Sequence, residues 1–161
     1  MIINIRVRID PPPTHQAALR VLKNSKTGKM FIGKQSNSNA SKWKLNFEAL
    51  LLNWKPKEPM GGCIRASINF AYPLLARHKG KLMTEPKITR PDCDNLVKSV
   101  LDSLTNVGYI TDDSNVAILT VTKQHHFAAP YIDIIMTEEK NNPFLDTPSP
   151  NGIQEENDGN N

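Results

Sequence analysis

Hydrophobic and polar residues alternate along two segments of the chain, and this period predicts two half-buried strands. The first, IINIRVRI, spans residues 2–9 and is stopped by three consecutive prolines. The second, CIRASINFAY, spans residues 63–72. The predicted core positions are Ile3, Ile5, Val7 and Ile9 in the first strand, and Ile64, Ala66, Ile68, Phe70 and Tyr72 in the second.

Two further segments have the spacing of amphipathic helices. SKWKLNFEALLLNW covers residues 41–54, and the pre-proline position of Lys55 helps to end it. RPDCDNLVKSVLDSLTN covers residues 90–106 and is followed by a helix-ending Gly108. The predicted apolar faces are Trp43, Phe47, Leu50, Leu51 and Trp54 in the first helix, and Val97, Val100, Leu101 and Leu104 in the second. At this spacing the aromatic residues are expected in the core, not stacked on bases.

Two closing strands are predicted at NVAILTVTKQ, residues 115–124, and YIDIIM, residues 131–136, with HHFAAP as a hairpin loop between them. The resulting β-α-β-α-β-β order predicts an α+β fold in which helices pack against a single mixed β-sheet. We assign this domain to residues 1–137. Residues 138–161 are rich in Asn, Pro, Gly and acids, so they are predicted to be a disordered acidic tail.

The formal net charge of +4 conceals an asymmetry, because residues 138–161 carry −5 and the rest of the chain +9. A basic body favours polyanions as partners, although many intracellular proteins are basic without binding nucleic acid. The long polar connection at residues 14–40 is either a clamp on a phosphate backbone or a solvated loop, with a small hairpin around Thr27-Gly28. Its basic residues include Arg20, Lys23, Lys26, Lys29 and Lys34.

Several classes of protein are disfavoured by composition. No apolar run approaches the length of a transmembrane helix, so no membrane partner is expected, and the charged N-terminus is not expected to be a signal peptide. Cys63 and Cys93 are too few for a disulfide framework in 161 residues. A reduced, intracellular setting is therefore expected.

The acids of the basic body cluster in TRPDCDNLVKSVLD and ITDDSN. Asp92 and Asp94 are two residues apart, and in an extended or capping segment their side chains point the same way. Lys98 follows Asp94 by one helical turn, on the same face. Asp112 and Asp113 come after the helix. Packing of the helix against the next strand is expected to bring Asp113 back to the acidic pair.

Three gathered carboxylates repel one another, so such a site needs a bound cation or protons. Oxygen ligands without His or Cys select Mg²⁺ or Mn²⁺ over zinc. Together with substrate phosphate oxygens, such a metal ion supports phosphodiester hydrolysis, and a nearby ammonium can stabilise the developing charge.

The same residues also have plainer interpretations. The two acids at the helix start can be N-caps favoured by the helix dipole. Lys98 can form an ordinary ion pair with Asp94 or with Asp102. Asp112-Asp113 can be simple turn residues. Spacing alone leaves both interpretations open.

The segment RPDCDNLVKSVLDSLTNVGYITDDSNV resembles the signature of the RusA family of Holliday junction resolvases. That signature has an acid-x-acid-Asn motif, a Lys four residues after the second acid, a Leu-Asp-x-Leu helix, a Gly turn, and Asp-Asp before a strand. It is matched by Asp92, Asp94, Asn95, Lys98, Leu101-Asp102-Ser103-Leu104, Gly108 and Asp112-Asp113. The resemblance is strong over residues 88–123 and looser over most of 1–137.

The resemblance implies a Mg²⁺-dependent endodeoxyribonuclease, with Mn²⁺ as a substitute, that makes paired symmetric nicks in four-way DNA junctions in recombination and repair. It implies a homodimer and a cytoplasmic protein of bacterial or phage origin. The implied metal ligands are Asp92, Asp94 and Asp113, and the implied catalytic lysine is Lys98. Asn95 would orient a carboxylate or a loop. Asp112 is a weaker candidate because it can point away as a turn residue.

Two alternatives stay open at this point. One is a structure-selective nuclease for other branched DNA, such as flaps or forks. The other is a catalytically inactive junction-binding protein. The intact acidic residues and Lys98 argue against the second alternative, because a pure binder has no need for clustered acids that repel phosphate.

Overall fold

The computed structural model describes residues 1–13, 19–34, 38–78, 80 and 83–139. Within these ranges no helix is both long and apolar enough to cross a bilayer. In chain order the elements are β1 (Ile2–Val7), β2 (Leu19–Lys23), β3 (Met30–Lys34), α1 (Ser38–Leu51), β4 (Cys63–Pro73), β5 (Thr84–Pro86), α2 (Cys93–Val107), β6 (Val116–His126) and β7 (Tyr131–Glu139).

Five strands form the central sheet in the order β1-β7-β4-β6-β5. β4 pairs in parallel with β6, and the other pairs are antiparallel. The predicted mixed sheet with helices packed against it is confirmed. Alternation along β4 shows the layering, since Ile64 and Ile68 are fully buried under the helices while Arg65 and Ser67 are exposed on the other face.

The predicted hairpin between the last two strands is wrong. β6 and β7 lie on opposite sides of β4, so residues 127–130 cross the end of that strand. Strands two places apart are separated by about 10 Å, which four residues span easily. The predicted strand also ends too early, because β6 continues through His125 and His126.

The first helix packs as predicted along most of its length. Trp43, Phe47 and Leu51 are buried, and the indole of Trp43 donates a 2.7 Å hydrogen bond to the carbonyl of Asp10. The prediction for Trp54 is wrong, because its side chain is 50% exposed. The chain changes from an α-helix to a 3₁₀ turn at residues 52–54. Because a 3₁₀ turn has three residues per turn, the α-helical spacing no longer predicts which side chains are buried there.

The second helix has the predicted apolar stripe and the predicted end. Its buried residues are Leu96, Val97, Val100, Leu101, Ser103, Leu104 and Val107. Gly108 ends the helix in the left-handed conformation, with φ of 88°, and donates to the carbonyls of Leu104 and Thr105. Any side chain at position 108 would be strained at that angle.

The basic connection contains a hairpin, as predicted, although it is larger than expected. β2 and β3 pair in an antiparallel two-stranded sheet that is separate from the central one. The turn is held by Asn24, whose side chain accepts from the backbone N–H groups of Lys26 and Thr27. Gly28 follows with φ of 68°.

The last strand extends beyond the predicted domain end at residue 137. Glu138 and Glu139, assigned to the tail from sequence, belong to β7. Glu138 accepts hydrogen bonds from the backbone N–H groups of Gly61 and Gly62, at 3.3 and 3.1 Å. Residues 140–161, the remainder of the predicted tail, lie outside the described residues.

Candidate active site

The acidic pair lies at the N-terminal end of α2. Asp92 is the N-cap residue with an extended backbone, and its side chain makes no capping hydrogen bond. Asp94 is in the first turn of the helix. Both side chains are exposed, and the positive end of the helix dipole favours their negative charge. Two carboxylates are thus presented to solvent by a rigid element.

Lys98 forms an ion pair with a residue in the next turn of α2. Its ammonium lies 3.7 Å from a carboxylate oxygen of Asp102, and the two side chains are 74% and 41% exposed. Such an exposed ion pair stabilises the folded protein by no more than about 1 kcal/mol. Lys98 can therefore exchange Asp102 for a phosphate at little energetic cost.

Asp113 lies in a 3₁₀ turn, residues 113–115, between α2 and β6. Asp112 caps this turn, with its side chain accepting from the backbone N–H of Ser114 at 2.9 Å. Hydrogen bonding to Ser114, first through its side chain and then through its backbone N–H, holds the pKa of Asp112 below its usual value. The side-chain amide of Asn115 donates to the carbonyl of Gly61, which holds the turn near the start of β4. Asp113 itself is exposed.

A lysine that sequence analysis did not single out shows where the acidic pair lies. The ammonium of Lys123, in β6, donates to the carbonyl oxygens of Thr89 and Pro91 at 2.9 and 2.7 Å. These carbonyls belong to the segment that leads directly into Asp92. The signal in the sequence was weak, because Lys123 looks like an ordinary polar position in an alternating strand.

Asp92 and Asp113 therefore lie at opposite ends of α2 and β6. Lys123 is seven residues beyond Val116, which corresponds to about 23 Å of strand, and Asp113 lies on the far side of Val116. α2 itself, at 15 residues, is about 22 Å long.

The expectation that Asp113 returns to the acidic pair within one chain is wrong. Helix and strand run in opposite directions through a tight connection, so a residue in that connection cannot reach the helix start. Among the described residues no three His, Cys, Asp or Glu side chains are close enough to share a metal ion.

The surroundings of the acidic pair are basic and aromatic. The ammonium of Lys87 lies 4.7 Å from the centre of the Tyr72 ring. Burial, and then the nearby charge of Lys123, lowers the pKa of Lys87. Burial, with a smaller contribution from Cys93, raises the pKa of Tyr72 to about 12. The backbone N–H of Lys87 donates to the carbonyl of Lys123 at 3.1 Å, and this places the group beside the start of α2.

The two adjacent histidines are structural. His125 is 8% exposed, and its Nδ1 lies 2.7 Å from the carbonyl oxygen of Pro73. His126 accepts a hydrogen bond from the backbone N–H of Ala128, and its ring packs against Tyr131. Neither arrangement matches the hairpin loop that the sequence predicts for these residues.

Comparison with known proteins decides the family. The family described as "Endodeoxyribonuclease RusA" matches residues 9–137, which is 129 of the 161 residues. The chain belongs to the RusA family. It is also similar to a protein of Lactococcus phage r1t named "Crossover junction endodeoxyribonuclease rusA", with 30% identity over 117 residues. This alignment covers 71% of the chain and 82% of the phage protein.

The RusA match contains every candidate residue of the site. Asp92, Asp94, Lys98 and Asp113 all fall within residues 9–137, as does Lys123. β1 lies before the match, and Glu138 lies after it. The matched range thus includes both helices and every strand except β1 and the last two residues of β7.

Proposed function

We propose that this protein is a Mg²⁺-dependent endodeoxyribonuclease that resolves four-way DNA junctions by paired symmetric nicks, in recombination and repair. The observation that carries the proposal is the exposed pair Asp92 and Asp94 at the start of α2, within the RusA match. The side chain of Asp92 makes no capping hydrogen bond to the helix. The printed name of the phage relative, a crossover junction endodeoxyribonuclease, supports the same reaction. The proposed location is the cytoplasm of a bacterial cell.

The acidic pair fits Mg²⁺ better than other common metals. Carboxylate oxygens are hard ligands, and Mg²⁺ is typically held by one or two carboxylates together with waters and substrate phosphate. Because Asp92 makes no capping bond, its oxygens are free for a metal ion. When bound, Mg²⁺ or Mn²⁺ supplies an activated water and polarises the phosphate. Lys98, one turn along the helix, places a positive charge beside the reacting phosphate.

Asp113 requires a second copy of the chain to take part. Within one chain it lies near the C-terminal end of α2, far from Asp92 and Asp94, so we propose that Asp113 of the partner subunit joins them. In a two-fold symmetric homodimer each copy supplies this residue to the other, which creates two equivalent sites. Two coordinated nicks in a roughly two-fold symmetric junction need two such sites.

A panel of branched substrates tests the proposal. The full chain is incubated with a four-way junction, a flap, a fork and a linear duplex, in Mg²⁺ and in Mn²⁺. Paired nicks confined to the four-way junction are expected, and Asp94→Asn is expected to bind the junction without cutting it. Equal cutting of flaps or forks would instead favour a nuclease for other branched DNA.

One observation favours the competing binding role. In the described part of one chain no three carboxylates lie close enough to share a metal ion, so a copy that never forms the dimer would have an incomplete site. A protein that binds junctions and leaves every substrate intact in both metals would be a junction-binding protein that has lost catalysis.

A further inference from the structure

A cavity of about 360 Å³ lies beside the start of α2. It is bounded by β5, by the 3₁₀ turn at residues 76–78 and by the segment that leads to the acidic pair. Arg77, Lys87 and Thr89 supply polar atoms to its wall, and Leu75 and Ile88 supply apolar surface. Its lining also includes Glu85 and His125, so it combines two cations, one carboxylate, an imidazole and a hydroxyl group with apolar walls.

The two cations of this cavity have no carboxylate partner among the described residues. Lys87 donates to the hydroxyl of Thr89 at 2.7 Å and lies over the ring of Tyr72, and both partners are neutral. Arg77 donates from Nε to Nε2 of His78 at 3.1 Å. A partly buried ammonium without a counter-ion interacts with an anion more strongly than a fully solvated one does.

Glu85 is the acid among the lining residues, and it is already engaged. One of its oxygens contacts Nδ1 of His78. The other oxygen of Glu85 is buried without a hydrogen-bond partner in the described part of the chain. Arg77 and Lys87 together outweigh this single negative charge.

The cavity is close to the proposed cleavage site. Thr89 lines the cavity and precedes Asp92 by three residues, so at most about 11 Å separates their Cα atoms. This distance corresponds to the rise of about three phosphates along one DNA strand. Lys123 holds the carbonyl of Thr89, so the cavity wall and the acidic pair are fixed by the same strand.

We propose that this cavity binds a phosphate group of the DNA strand that is cut, a few nucleotides from the scissile bond. Lys87 and Arg77 pair with the phosphate oxygens, and the hydroxyl of Thr89 adds a hydrogen bond. The contact fixes the register of the strand over Asp92 and Asp94 without reading its bases. This inference rests on the proposed function and adds a positioning site to it.

Neutral backbone linkages test the proposal directly. Four-way junctions carrying one uncharged methylphosphonate at each position in turn are bound to the full chain, without divalent metal, so that no cutting occurs. We expect one linkage near the cut position to weaken binding about tenfold. With Lys87→Met the same linkage is expected to have a smaller effect, because one of the two ionic partners of that phosphate is already gone.

The dependence of binding on salt gives a second readout. Lys87→Met is expected to reduce the slope of log K against log salt by up to about 0.9, the value for one phosphate contact. Lys57→Met, at an exposed lysine outside the cavity, serves as the matched control for charge and is expected to keep the full sensitivity to the neutral linkage. Arg77→Met repeats the test at an exposed position, so that a folding defect of the Lys87 variant does not decide the outcome.

The outcomes separate the two proposals. Suppose that each neutral linkage weakens binding by the same factor in the unaltered chain, in the Lys87 variant and in the Arg77 variant. The cavity then does not bind phosphate, and this conclusion holds whether or not the junction is cut. Suppose instead that one linkage weakens binding by the unaltered chain more than binding by the Lys87 variant, but that the unaltered chain cuts no branched DNA in Mg²⁺. Phosphate binding in the cavity is then supported, and the nuclease function is overturned.

Discussion

The ammonium of Lys123 donates a 2.7 Å hydrogen bond to the carbonyl of Pro91. A second hydrogen bond joins it to the carbonyl of Thr89. A strand of the central sheet thereby fixes the backbone that enters the acidic pair. This relationship makes Lys123 a positioning residue for Asp92 and Asp94, although it need not touch DNA or metal.

Loss of this lysine should affect both stability and metal use. Lys123→Met removes two charge-assisted hydrogen bonds, so we expect the free energy of unfolding to fall by about 2 kcal/mol. We also expect a higher Mg²⁺ concentration for half-maximal nicking, because the acidic pair is less firmly oriented. Denaturant unfolding and a metal titration measure the two effects. Lys57→Met is the control, and an unchanged metal requirement in Lys123→Met would count against the positioning role.

Subunit mixing tests whether Asp113 acts across the dimer. Asp94→Asn and Asp113→Asn are each expected to be inactive as pure proteins. After equal mixing and exchange, half of the dimers are mixed, and each mixed dimer has one complete site. About a quarter of the nicking sites should therefore recover, as single nicks and not as paired cuts. No recovery, despite verified exchange, would place Asp113 outside the shared site.

Substitutions of Lys98 and of its ion-pair partner Asp102 should affect catalysis and folding stability differently. Lys98→Met is expected to lower the nicking rate about 10²- to 10³-fold, as for the loss of a group that stabilises transition-state charge. The free energy of unfolding should change by less than about 1 kcal/mol, because the pair with Asp102 is exposed. Asp102→Asn breaks the same pair, and its nicking rate should stay near normal. A rate loss as large in Asp102→Asn would point to helix stability instead.

Glu138 should make folding stability depend on acidity. Hydrogen bonds from Gly62 and Gly61 hold the pKa of Glu138 below its ordinary value of 4.5. A carboxyl whose pKa is lowered by folding stabilises the protein above its unfolded pKa, and that contribution is lost as the pH falls through the folded pKa. The stability difference between the unaltered chain and Glu138→Gln should thus shrink between about pH 5 and pH 3. Urea unfolding across this range measures it, and a constant difference would contradict the assignment.

The two tryptophans should respond differently to substitution. Trp43→Phe removes the partly buried hydrogen bond to the carbonyl of Asp10, so we expect a loss of about 1–2 kcal/mol in unfolding free energy. Trp54→Phe should cost less than about 0.5 kcal/mol, because the side chain is half exposed. Denaturant unfolding measures both values. Acrylamide should also quench the fluorescence of Trp54 more strongly than that of Trp43.

Local sequence patterns were sufficient to predict the main strands and helices and the acidic pair at the start of α2. Alternation of apolar residues predicts β1 and β4, and the helical period predicts the buried faces of α1 and α2, because burial in these elements follows their own repeat. Gly108 marks the end of α2 for the same local reason. The Asp92–Asp94 spacing at a helix start predicts the exposed acidic pair. The motif around these residues was enough to indicate the RusA family.

Pairings between distant residues were decided only by the tertiary structure. β6 and β7 lie on either side of β4, and no local pattern distinguishes this arrangement from a hairpin, since strand residues alternate in the same way in both. The antiparallel packing of α2 on β6 places Asp113 far from Asp92, and it brings Lys123 and the cavity at Lys87 to the acidic pair instead. A sequence determines which residues are apolar at which period, whereas the proximity of side chains depends on how whole elements are ordered and directed in space.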